Sequence, residues 1–181
     1  ETLSDGVFAV ALTLLLLDVV AMAEKVGKHE TVMHHLKQEW PTICAFVIGF
    51  LTILLAWVNH HAVFAFITRT DSGLLWCNGV VLVLVAIVPM PTALLAAKLD
   101  QSTRDEAIMA MGVVYLLLAI AFWWMWHYAR RRGLLDPGHQ PERFAGMGRY
   151  YALTIGWTAL ALAVSLVSIW AAIVLWALLL A

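Results

Sequence analysis

Leu3-Ser4-Asp5-Gly6-Val7-Phe8-Ala9-Val10-Ala11-Leu12-Thr13-Leu14-Leu15-Leu16-Leu17-Asp18 carries an acidic residue near each end and only Thr13 as a polar side chain between them. With the apolar residues that follow it, this stretch reaches the roughly 20 residues that a helix needs to cross the hydrocarbon core. A carboxylate at membrane depth is expensive, so Asp5 needs a partner or a task. The apolar residues between the two acids form either a wall against lipid or the wall of a pore.

The rest of the 181-residue chain has the same character: 63% of it is hydrophobic and only 13% is charged. Mean hydropathy is +0.87. Soluble domains run near half apolar and about a quarter charged, so the composition implies an integral membrane protein. A signal peptide does not explain it, because apolar segments recur along the whole length. A net charge of −1 leaves no footprint for nucleic acid. Cys44 and Cys77 fall on different expected helices near opposite faces and are not expected to pair. There is no P-loop, no dinucleotide motif, no carbonyl-filter signature and no nucleophile–base spacing, so neither an enzyme nor a cofactor is expected.

The hydropathy pattern predicts an all-α bundle of six transmembrane helices forming one domain over 1–181. The spans fall at roughly 4–23, 40–62, 74–97, 106–129, 148–165 and 168–181. The last two share one apolar run, with Ser165 and Ser168 as the expected turn; one long tilted helix is the alternative. Glu24 to Glu39 has room for a short surface helix. The connector from Arg130 to Arg149 holds five Arg among turn residues. The positive-inside rule puts that loop, and with it both termini, in the cytoplasm. Lys25, Lys28, Lys37, Lys98 and Arg104 then lie outside, so the orientation rests on one loop.

Helix geometry sorts the first span into faces. Relative to Val10, Leu14 lies about 40° to one side, with Leu17 about 20° and Thr13 about 60° to the other. Val10, Thr13, Leu14 and Leu17 thus form a stripe that Gly6 continues. Asp5 lies about 140° away, on the far side. Its depth matches that of Trp57, Asn59, His60 and His61 at the end of span two and Trp76 and Asn78 at the start of span three. Together with Ser4, these residues can satisfy the carboxylate in one hydrogen-bonded layer. A structural network is the commoner role for such a group; a proton relay through Asp5 with His60 or His61 is the alternative. No metal is expected, because helical ligand pairs sit at i and i+4 whereas His60 and His61 are adjacent. Asp18 lies at the stripe's outer edge, where it either meets water or concentrates cations at a pore mouth. Such a stripe is by itself more often a packing or lipid-facing surface than a gate.

These residues resemble a known family. Ser4-Asp5-Gly6-Val7-Phe8-Ala9-Val10-Ala11-Leu12-Thr13-Leu14-Leu15 is similar to the first-helix signature of the transmembrane protein 175 family of cation channels, in its short bacterial form. Trp57-Val58-Asn59-His60-His61, Asn78 and Val88-Pro89-Met90-Pro91-Thr92 extend the likeness over most of the first 97 residues. Leu3 stands where the family's Arg-x-x-x-Phe-Ser-Asp signature has Phe, and the Arg position falls ahead of Glu1.

The resemblance implies a potassium-selective leak channel without a carbonyl filter, a homotetramer in a bacterial plasma membrane. The first helix of each subunit would line a shared central pore. Carried over by position, the apolar constriction would be Val10, Leu14 and Leu17, with Thr13 beside it. The Ser4-Asp5 pair would be a structural element that meets the His at the end of the second helix.

Overall fold

The computed structural model describes residues 2–24, 31–98, 104–136, 141–168, 171, 174, 175 and 178. These residues form an all-α bundle. In chain order the helices are α1 (Thr2–Glu24), α2 (Val32–Gln38), α3 (Trp40–Phe64), α4 (Ser72–Ile87), α5 (Pro89–Lys98), α6 (Arg104–Arg131) and α7 (Pro141–Ser165). Among the described residues, four helical stretches are long and apolar enough to cross a membrane: Thr2–Glu24, Trp40–Phe64, Ser72–Ala97 and Asp105–Arg131.

Local chemistry sets the ends. Asp71 has extended backbone and accepts the N–H of Leu74 at 2.8 Å, an N-cap that starts α4. Pro41 sits in the first turn of α3, where its missing N–H costs nothing. Asp105 and Glu106 in the first turn of α6, and Arg130 and Arg131 in its last, complement the helix dipole. Gly133, at φ +64°, stops α6, and the Leu134 N–H turns back to the Ala129 carbonyl at 3.0 Å. Only glycine adopts that left-handed cap without strain.

The third expected span is present as one membrane-long stretch, Ser72–Ala97, divided at Val88 into α4 and α5. Pro89 has no N–H, so the ladder breaks at Val88, and α5 restarts with both the N–H and the hydroxyl of Thr92 on the Val88 carbonyl. Between α1 and α3, α2 occupies part of the polar connector, capped by Thr31. The fifth expected span lies within α7. The sixth, 168–181, lies for most of its length outside the described residues. Its described positions show a turn after Ser165, the Ser168 hydroxyl accepting the Ala171 N–H, and the Trp157 indole donating to the Leu175 carbonyl at 2.8 Å. The chain therefore doubles back along α7.

Inside the bundle, α1 packs on α3, α4 and α5, α6 packs on α4, α5 and α7, and α3 packs on α5. The main core gathers Phe8, Leu15, Ile53, Val81, Met125 and Trp126. A smaller cluster around Ala45, Leu95, Met111 and Ala161 closes the other end.

Candidate functional site

Because α1 is apolar all round, its rotation in the bundle is not set by hydropathy. Packing sets it. Ser4, Phe8, Ala11, Leu15 and Met22 are buried against the other helices. On the opposite side Val10, Leu14 and Leu17 are 58%, 43% and 59% exposed, flanked by exposed Gly6 and Thr13. The Thr13 hydroxyl donates to the Val10 carbonyl at 2.8 Å, so its proton is spent within the helix and only its lone pairs face outward. Asp18 is half-buried beside this face at the far end of the stripe from Asp5.

Apart from the Thr13 oxygen, the side chains of this face are apolar and offer an ion no ligand, so the face can exclude or admit an ion by width and dryness.

At the Asp5 end, polar side chains fasten α1 to its neighbours. Asn78 donates through Nδ2 to Ser4 Oγ at 3.1 Å and, through Oδ1, meets His60 Nε2 at 2.8 Å. An amide oxygen only accepts, so His60 carries its proton on Nε2. Ser4 and His60 are 2% and 1% exposed. The His60 ring stacks on Phe64 with ring centres 4.4 Å apart and meets the edge of Phe8 at 5.4 Å.

Asp5 belongs to a second, wetter group. Trp57 Nε1 donates to Asp5 Oδ1 at 3.1 Å, and His61 Nε2 lies 3.7 Å from the same oxygen. The structure thus brings Ser4, Asp5, Trp57, His60, His61 and Asn78 together. It does not bring in the other two residues expected there. Asn59 turns back to the Leu55 carbonyl, and Trp76 is 80% exposed and takes no part.

Three further joints escaped the sequence reading. At Gly49 a Cβ would lie 2.8 Å from Thr92 Oγ and 3.2 Å from Leu15 Cδ1, so α1, α3 and α5 meet there at a spacing only glycine permits. At the Asp18 end, buried His35 of α2 bonds the Met22 carbonyl in the last turn of α1 at 2.9 Å. Asp71 also accepts from the Tyr128 hydroxyl at 3.0 Å and from Arg132 Nε at 3.5 Å. The Leu74 N–H, with Tyr128 and Arg132 adding to it, holds the Asp71 carboxyl below the usual carboxylate range. Backbone bonds from Thr68 to Leu134 and from Asp136 to Phe66 complete this splice between the loops after α3 and α6. Asp71-Ser72-Gly73 ahead of an apolar run is a helix-start signal; the Gly49 contact has none.

Comparison with known proteins places this geometry. A family profile described as the endosomal/lysosomal potassium channel TMEM175 matches residues 1–89. A potassium channel of Streptomyces collinus is 40% identical over 166 residues, covering 86% of this chain and 79% of that one. A chicken endosomal/lysosomal proton channel TMEM175 is 29% identical over 133 residues, 70% of this chain and 26% of that one. The crystal structure of a lysosomal potassium-selective channel TMEM175 homolog from Chamaesiphon minutus superposes with a TM-score of 0.83 at 34% identity, over 99% of this chain and 92% of that one.

Proposed function

The chain belongs to the TMEM175 family of ion channels, and from that premise we propose that it is a potassium-selective leak channel of a bacterial plasma membrane, with both termini in the cytoplasm. Four copies surround one pore, and α1 of each copy lines it. Val10, Leu14 and Leu17 form successive apolar rings. The observation that carries this reading is the exposure of those three residues on a helix whose other face is buried and which is fastened near both ends.

A narrow apolar ring dewets and offers an ion nothing in place of its water. Conduction then needs a ring wide enough for a partly hydrated ion. Potassium holds its water less tightly than sodium and loses less on squeezing through. A tenfold preference needs a barrier difference of only about 1.4 kcal/mol, so no cage of carbonyls is required. Thr13 lone pairs beside the rings supply some replacement for lost water. Asp18, four-fold repeated, raises the cation concentration at the outer mouth.

The test is current through reconstituted protein in potassium and sodium. Leu14→Ala and Val10→Ala raise the leak or relax selectivity; unchanged currents in both remove the stripe from the pathway.

A second reading, a proton-conducting channel or proton-coupled transporter, draws on Asp5 lying 3.7 Å from His61 with both side chains partly exposed. It predicts pH-coupled flux that vanishes in Asp5→Asn. Undiminished potassium current in a folded Asp5→Asn protein rejects it.

A further inference from the structure

The short helix α2 has three distinct sides. Measured from Leu36, Met33 lies about 60° round the helix, and Lys37, His34 and Gln38 fill the sector from about 100° to about 200°. His35 lies about 100° the other way. It is buried and bonds the Met22 carbonyl, so its side faces the protein. Met33 and Leu36 are exposed, as is Trp40 at the start of α3. His34, Lys37 and Gln38 are exposed too, and the Gln38 amide donates to the His34 ring at 2.9 Å. Around the helix the order is therefore protein, apolar, polar. A helix standing in water gains nothing from an exposed apolar side, and one sunk in the bundle keeps no polar side. One that lies in a bilayer interface needs both.

Two ties fix the depth of α2. Met22 is two residues from the end of α1, about 3 Å of helix. At the other end only Glu39 separates α2 from Trp40, where the membrane-long stretch Trp40–Phe64 begins. At seven residues α2 is too short to cross the bilayer itself. It is held at the level where two spans end. The apolar side also has a neighbour to continue. Trp40, Val47, Leu51 and Val58 are exposed and share one face of α3 at helical spacing. Met33 and Leu36 carry apolar surface past the head of that face.

We propose that α2 rests on the bilayer, with Met33, Leu36 and Trp40 set among the glycerol esters and upper acyl chains of phospholipids and His34 and Gln38 in the headgroup layer. Trp40 suits that level, because an indole has an apolar body and one polar N–H. Lys37, at the edge of the apolar side, lays its stem along the lipid and lifts its ammonium to the phosphates.

Photolabelling of the full chain in phosphatidylcholine nanodiscs tests this from both sides. One arm uses a phosphatidylcholine with a diazirine near the ester end of an acyl chain, the other a charged, water-soluble diazirine. Trypsin cuts after Lys28 and Lys37, so α2 is read in one peptide, 29–37. The lipid probe is expected on Met33 and Leu36 and the aqueous probe on His34. Leu36→Asp puts a charge on the apolar side and loses the lipid label at Met33; Leu36→Ile keeps it. Aqueous label shared alike by Met33, His34 and Leu36 overturns the proposal, because the apolar side then faces water. A peptide that neither probe reaches also overturns it, since a second copy or another part of the chain then covers α2. Lipid label as strong on His34 as on Met33, or undiminished at Met33 in Leu36→Asp, does the same. The readout is contact with lipid, so it stands apart from the currents that test the α1 stripe.

Discussion

The two faces of α1 share a vocabulary and differ in circumstance. One presents Phe8, Ala11 and Leu15, the other Val10, Leu14 and Leu17, and no scale of hydrophobicity separates the sets. The first is buried and the second is left open. In water such a difference would be paradoxical, since the open face would be driven to cover itself. In lipid there is no such drive, and apolarity carries no information about burial. The orientation of α1 comes instead from its few polar and small residues. Ser4 must reach Asn78, and Leu15 must fit where Gly49 admits it.

The contrast is open to attack in order of effect. Phe8→Ala removes a buried ring that packs on His60 and is expected to cost about 3–5 kcal/mol. It is measured as a lowered melting temperature of the purified protein. Asn78→Ala leaves Ser4 Oγ and the His60 Nε2–H without their mutual partner and is expected to cost about 1–3 kcal/mol in the same assay. Leu14→Ala, on the open face, is expected to cost less than about 1 kcal/mol while altering the current. A loss in Leu14→Ala as large as that in Phe8→Ala would show that the faces are not distinct.

The smallest effect lies away from both faces. Asp71 titrates below its unfolded value of about 3.9, so its contribution is fully present above that pH and is lost as the pH falls through the lowered value. The melting temperature of the parent should therefore fall more steeply below about pH 4 than that of Asp71→Asn. Parallel curves would remove Asp71 from the splice.

The sequence made the membrane character, the helical class and the membership of Ser4, Asp5, His60, His61 and Asn78 in one layer legible, because depth along a helix follows directly from counting residues. It also placed Val10, Leu14 and Leu17 on a common face, because that is set by the 100° step alone. What counting cannot deliver is the rotation of one helix against another. Trp76 has the right depth and the wrong azimuth, and it ends 80% exposed. Asn59 has the right depth too, but its amide turned inward to its own helix. The break at Val88 is the reverse case: the apolar run does form one membrane-long stretch, Ser72–Ala97, and the missing N–H of Pro89, in plain view within it, divides it into two helices. A cavity among α3, α6 and α7 was invisible for a different reason: it is an absence of packing among three helices, and its lining is assembled from residues as distant in sequence as Asn59 and Tyr151.

The glycine contact at Gly49 has a mechanical meaning. Ser4 is held at one station along α1 and Leu15 at a second, and eleven residues of helix put about 16 Å between them. A rod clamped at two stations cannot tip about either. Beyond the second, buried Met22 with the His35 ring on its carbonyl makes a third station near the far end. Val10 and Leu14 sit between the first two stations and Leu17 between the second and third, so all three side chains of the open face hang from a beam pinned along its length.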